Sequence, residues 1–274
     1  MTQSTRTASA LRASPALLFL VALVAAAVAA PALAPFAADA VDLANRRAAP
    51  SGTHWFGTDE LGRDVLTRVL TGARVSLAIG LLSAIASAGV GTLVGSVAGM
   101  SRGWLDDLLM RVTDAMLAIP RLPLLMLAAA VVQPGIPALI VLVALTGWME
   151  TARVVRADVL SLSSREFIQA AHAMGATPTR VLVRHLLPAV VPTLSVATTL
   201  AIGRAILLES TMSFFGVGVQ PPTASWGNML YQAQSTMSSE PWLAVFPGLF
   251  IFATVLACNV VGDSLGHVPR RQTA

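Results

Sequence analysis

Residues 75–99 read VSLAIGLLSAIASAGVGTLVGSVAG, an uncharged apolar run in which Ser83, Ser87, Gly91, Gly95 and Gly99 recur at every fourth position. A hydrocarbon core about 30 Å thick takes about 20 helical residues to cross, so this run is long enough for one membrane span. The four-residue spacing lines the small residues along one helix face, where a second helix can approach closely. Dispersion and weak Cα–H contacts in such a seam replace the hydrophobic drive that lipid does not supply. The stripe indicates a helix bundle but does not name the neighbouring helix, and ordinary glycine-rich membrane sequence is its bland alternative.

The remainder of the chain has the same character. Of its 274 residues, 55% are hydrophobic and 12% charged, with a mean hydropathy of +0.72, outside the fractions usual for soluble domains. Further apolar blocks cover residues 14–38, 116–133, 136–149, 186–208 and 243–261. Six spans follow, giving an all-α, polytopic membrane protein. The layout is a cytoplasmic tail at 1–13, a first transmembrane helix at 14–38 and an external segment at 39–74. A five-helix core at 75–262 then contains a cytoplasmic loop at 150–185 and an external segment at 209–242, and a cytoplasmic tail occupies 263–274. Ala30-Pro31-Ala32-Leu33-Ala34 resembles a signal-peptide cleavage region, yet its block is long enough to span and more spans follow, so an uncleaved first helix is expected. Gln133-Pro134-Gly135 reads as a tight turn.

All 18 basic residues are Arg, which excludes a lysine base, a Schiff base or a phosphate-loop lysine. The net charge of +4 does not point to nucleic acid, because the arginines are scattered between apolar blocks and not clustered with aromatics. Their bias sets orientation. Arg6, Arg12, Arg102, Arg111, Arg121, the arginines of the 150–185 loop and Arg270 and Arg271 fall on one side, so that side and both termini are read as cytoplasmic. Arg46, Arg47, Arg63, Arg68 and Arg74 lie outside, accompanied by Asp39, Asp42, Asp59, Glu60 and Asp64.

No zinc-protease helix, nucleophile elbow or phosphate loop occurs, so no catalytic constellation is read here. His54, His172, His185 and His267 sit in separate polar segments and read as solvated or interfacial side chains, not metal ligands. Cys258 is the single cysteine and lies in an apolar block. Gly216-Val217-Gly218 reads as a loop feature.

The polar stretch between the fourth and fifth blocks is more informative. A helix is predicted from Ser164 to Met174, with Phe167, Ala170, Ala171 and Met174 on one face and Gly175 suited to a left-handed C-terminal cap. Thr177 as N-cap and Pro178 at the first helical position open a second helix through Val181, Leu182 and His185, and Pro188 marks entry to the next span. Such a hairpin either docks a partner, packs on the chain's own helix ends, or lies at the lipid interface.

Gln169-Ala170-Ala171-His172-Ala173-Met174-Gly175, followed by Leu186-Leu187-Pro188, resembles the EAA loop of binding-protein-dependent ABC importer permeases, with Gln169 where Glu is usual and Glu166 nearby. Three further segments resemble the dipeptide, oligopeptide and nickel branch of that family. His54-Trp55-Phe56-Gly57-Thr58-Asp59-Glu60-Leu61-Gly62-Arg63-Asp64 matches its H-x-L-G-T-D-x-x-G-R-D segment, with Phe56 replacing Leu. Ser213 to Pro222, continuing to Ser225-Trp226-Gly227, is similar to its external segment after the fifth span, and Pro247 to Asp263 to its last span. The tail departs from the pattern after Asp263.

The resemblance implies the type I ABC importer permease fold in a bacterial inner membrane, paired with a second, homologous permease and contacting membrane lipid. Cytoplasmic ABC ATPase subunits and an external solute-binding protein would complete the assembly, with no nucleic acid partner. Glu166, Gln169, Ala170, Ala171, Gly175, Leu187 and Pro188 would form the ATPase-coupling loop. ATP and Mg would be used by the ATPases, this chain binding no cofactor and catalysing nothing. Di- or oligopeptides are the expected substrates. Nickel or another small solute is the alternative, although a nickel path would be expected to offer clustered His ligands. A passive channel and a membrane enzyme are the competing classes.

Overall fold

The computed structural model describes residues 3–101, 103–132 and 135–266, with the side chains of residues 3–14 and Leu33 left out. Arg102, the Gln133-Pro134 part of the turn, His267, Arg270 and Arg271 lie outside the described residues, as do the side chains of Arg6 and Arg12.

A first helix, α1 (Gln3–Leu33), packs on the second and the last long helices. The chain then winds through residues 34–64 with one short helical turn at Leu43–Asn45 and one isolated antiparallel bridge between Thr58 and Asp64. Asp64 ends that segment: its Oδ2 accepts the Thr67 N–H at 2.8 Å, satisfying one of the orphan donors that every helix start leaves. From there α2 (Val65–Ser101) runs unbroken for 37 residues. Residues 65–74, placed by sequence in the 39–74 segment, are therefore the opening turns of the same helix as the apolar run.

The next two spans are each broken. α3 (Trp104–Ala118) and α4 (Arg121–Val132) meet at 81°, because Pro120 forces Ile119 out of the helical region, to φ −81° and ψ 126°. α5 (Ile136–Leu145) and α6 (Trp148–Ser163) meet at 43° across Thr146-Gly147. Thus the first part of the stretch read as a loop, 150–163, continues α6 and packs along α2; the hairpin begins only at Ser164. It consists of α7 (Glu166–Ala173) and α8 (Pro178–Val181).

A π turn at Leu182–Leu186 joins α8 to α9 (Leu187–Phe214), so helix is continuous well before Pro188. Proline cannot donate to the carbonyl one turn back, and the widened turn, in which the Leu187 N–H reaches Leu182 O, accommodates that loss. α10 (Trp226–Ala233) lies across one end of the bundle, and α11 (Trp242–Gly266) returns through it.

Among the described residues, four helical stretches, within α1, α2, residues 178–214 and α11, are long and apolar enough to cross a membrane, and the number is six when each bent pair is counted as one span. Outer faces carry exposed Leu18, Val28, Leu81, Leu93, Phe252 and Leu256, as lipid contact requires. Inside, Leu23, Val69, Ile206, Trp226 and Leu243 form a cluster at the α10 end, and Ile79, Leu125, Leu139 and Met212 a central one. Val155, Val159, Ile168, Val181 and Leu186 form the third, at the hairpin end.

Candidate functional site

The small-residue stripe faces α5 and α6. Ser83 and Ser87 donate to the carbonyls of Ile140 and Ala144 at 3.2 and 3.0 Å, so each hydroxyl finds an acceptor inside the seam. A Cβ on Gly91 would lie 2.6 Å from both Trp148 O and Thr151 Cβ; on Gly95, 2.9 Å from Val155 Cβ; and on Gly99, 2.8 Å from Val159 Cγ1. Helix α6 is held on its other side by Arg156, which clamps Asp106 of α3 through two bonds of 2.5 and 2.6 Å, and by Arg153, 2.5 Å from Asp114. These loop arginines of the sequence reading are interhelical ion pairs, and the fork geometry makes the Arg156 pair the more specific.

At the hairpin, Thr177 Oγ1 accepts the Arg180 N–H at 3.4 Å and Gly175 takes φ +82° with open space around it. Met174 N–H, Gly175 N–H and Ala176 N–H donate to Ala170 O, His172 O and Ala171 O, closing the last turn of α7. That reversal uses a left-handed residue, which glycine adopts at no steric cost. The four residues expected on one apolar face divide between two. Ala171 points inward with Ile168, both buried against Val155, Val159 and Val181, whereas Phe167 is 50% and Met174 82% exposed, with Ala170 beside them. The rotation of α7 follows from the packing of Ile168 and Ala171 into the Val155, Val159 and Val181 cluster, which leaves the larger Phe167 outside. Glu166 is exposed in the first turn, where the helix dipole favours a carboxylate. Gln169 bonds back to Ser164 O at 3.3 Å. Leu187 is half-buried and Pro188 exposed where α9 begins.

The opposite end is tied by polar contacts invisible to hydropathy. His54 Nδ1 sits 3.0 Å from Asp64 Oδ1, and Asp59 accepts from the N–H groups of Leu61 and Arg63 and from Arg63 Nε at 2.7 Å. The resembling segment 54–64 is therefore a self-bonded cap on α2. Arg68 is buried beneath it, near Asp59 and Asp39. Asp42, outside the bundle, has its carboxyl held below the usual carboxylate range by the Asn45 side-chain hydrogen bond.

Glu209, 1% exposed, accepts hydroxyls from Ser76 at 3.0 Å, Ser213 at 2.8 Å and Ser210 at 3.4 Å. Ser76 Oγ in turn accepts the Trp226 N–H, Ser213 Oγ accepts the Val219 N–H, and the Trp226 indole donates to Val69 O at 3.1 Å. Ser225 and Asn228 close a reciprocal capping box at the start of α10. Residues 213–227 are thus stapled to α2 and α9 through one buried carboxylate.

A second charged group lies half way along the bundle. Arg121, read from sequence as a cytoplasmic flank, instead begins α4 after the Pro120 break and donates to Val143 O and Thr146 Oγ1, both at 3.1 Å. It thereby satisfies carbonyl and hydroxyl groups at the broken end of α5. Arg204 of α9 pairs with Glu150 of α6 at 2.6 Å, their side chains 46% and 49% exposed. All three, with Ala84, Ser87, Val143, Ala201 and Ala205, line a small open cleft. Each Arg at a span centre costs about 2.5–3.5 kcal/mol on insertion scales, so such residues mark function by default. An arginine inside the apolar block 186–208 was the available signal.

An all-helical bundle with two broken spans, a short-helix hairpin at one end and a charged cleft half way along it defines a multi-pass membrane permease. The chain belongs to the family of the binding-protein-dependent transport system inner membrane component, matched over residues 91–271. It is therefore a permease subunit of the ABC-importer class, a multi-pass inner-membrane protein whose family is not itself catalytic. Among curated relatives, a peptide permease protein of Brucella suis biovar 1 is 41% identical over 233 residues, covering 84% of this chain and 77% of that one. The glutathione transport system permease protein GsiD of Escherichia coli, and that of Shigella sonnei, are each 42% identical over 254 residues, covering 92% of this chain and 84% of theirs.

Proposed function

We propose that this chain is one of two unlike permease subunits of an ATP-driven importer of small peptides, and that α7 is its contact with the ATPase. The peptide reading is supported by the printed names of its relatives. The coupling reading rests on one observation: Ile168 and Ala171 anchor the hairpin inward while Phe167 and Met174 stand exposed outside the bundle, an apolar face that none of the described residues covers. The hairpin end and both termini are cytoplasmic in this reading, and the α10 end meets the solute-binding protein. Nucleotide and Mg bind the ATPases, and this chain holds no cofactor. ATP binding closes the ATPases, displaces α7, and through the rigid α6–α2 pair biases the bundle between two openings.

The test separates surface from scaffold. Phe167→Glu combined with Met174→Glu is expected to abolish recovery of the ATPase with the purified permeases and ATP-driven uptake of an alanine tripeptide in proteoliposomes, with the thermal midpoint of the permease unchanged. Ala171→Arg is expected to lower that midpoint, because the side chain has no room inward. Full ATPase recovery with the double variant would refute the docking assignment.

A further inference from the structure

The cleft half way along the bundle places two guanidiniums, those of Arg121 and Arg204, around the single carboxylate of Glu150, and among the described residues no other charged side chain lines it. Its net charge is one positive. The cleft lies where the Pro120 break after α3, the Thr146-Gly147 break after α5 and the middle stretch of α9 come together. Neither Arg204 nor Glu150 is sealed, since about half of each side chain is open at the cleft mouth. Lipid tails cannot accept such groups, so the opening faces water or a polar surface. The walls between the charges are the small residues Ala84, Ala201 and Ala205.

We propose that Arg121, Glu150 and Arg204 form an anion-attracting station on the translocation path, taking the carboxylate of a passing peptide. Arg204 holds Glu150 when the path is empty. An arriving carboxylate meets the excess positive charge, competes with Glu150 for Arg204 and is passed on, because a pair exchanged within the site keeps binding shallow enough for release. Arg121 already donates to Val143 O and Thr146 Oγ1 and therefore presents a fixed charge, whereas Arg204 is free to change partners. This inference rests on the reading that the chain forms part of a translocation path.

Accessibility and transport are measured on the full complex of both permeases, ATPases and binding protein, carrying Cys258→Ala and Ala201→Cys. Ala201 is half-buried at the cleft, one helical turn from Arg204. The new thiol is expected to react with an anionic methanethiosulfonate about tenfold faster than with a cationic one, as a cleft lined by one sign of charge concentrates counter-ions. Arg204→Gln should erase that bias and Arg204→Lys retain it. In uptake, Arg204→Gln should raise KM for trialanine but not for its C-terminal amide. Absence of labelling in both resting and ATP-trapped complexes would show the cluster sealed against the partner permease and overturn the proposal, as would a bias indifferent to Arg204. If the parent complex imports neither peptide, the transport reading fails, while the labelling arm still decides whether the cleft is an anion-attracting aqueous site.

Discussion

Two glycines on α2 offer a controlled measurement of helix packing. A Cβ added at Gly89 meets nothing within 4 Å, whereas one at Gly91, two residues on, would lie 2.6 Å from Trp148 O and from Thr151 Cβ. Glycine to alanine within a helix gains about 1 kcal/mol of propensity at either site. That gain cancels in the difference between the two variants, leaving the steric term. Trp148 O belongs to the backbone of α6, which the Arg156–Asp106 clamp holds in place, so relief by a side-chain rotation is closed. Overpacking typically costs about 1–3 kcal/mol, and Gly91→Ala should be less stable than Gly89→Ala by about that amount. Reversible unfolding in mixed detergent, fitted for midpoint and slope, measures the difference. Gly91→Ile should go further and reduce the yield of assembled complex. Equal stabilities for the two alanine variants would show that α2 and α6 do not approach as closely as the stripe implies.

Gly175→Val should destabilise the hairpin by about 1–2 kcal/mol, since φ +82° is unfavourable for a branched side chain even in open space; Gly175→Asn should recover most of the loss, read out as ATP-driven uptake and thermal midpoint. Glu209→Ala removes the acceptor shared by Ser76, Ser210 and Ser213 and should cost about 1–3 kcal/mol of stability for each hydroxyl left without a partner; proteolysis within residues 215–225 measures the release of α10, and unchanged protection would refute the staple.

Whatever depended on neighbours a few residues apart was legible in the chain. The apolar runs, the every-fourth-residue stripe, the Thr177-Pro178 helix start and the Gly175 reversal each follow from local backbone preferences or a helical period. Hydropathy failed where charged residues sit inside helices. Residues 65–74 and 150–163 read as polar segments because Arg68, Glu150, Arg153 and Arg156 lower the average, yet Arg68 lies against Asp39 and Asp59 of the preceding segment, the other three pair between helices, and the helix continues through each. The stripe faced no named partner until helix lengths and the Pro120 and Thr146-Gly147 breaks brought α6 against α2. Likewise, Ala171 and Phe167 share a helical period, and only packing on Val155 and Val159 sends one inward and the other out. Glu209 finds Ser76 across 133 positions, and Arg121, Glu150 and Arg204 come from three different spans. Such groupings are products of how the helices are rotated and broken, which no local pattern carries; the residues were determined by the sequence, and their company by the tertiary fold.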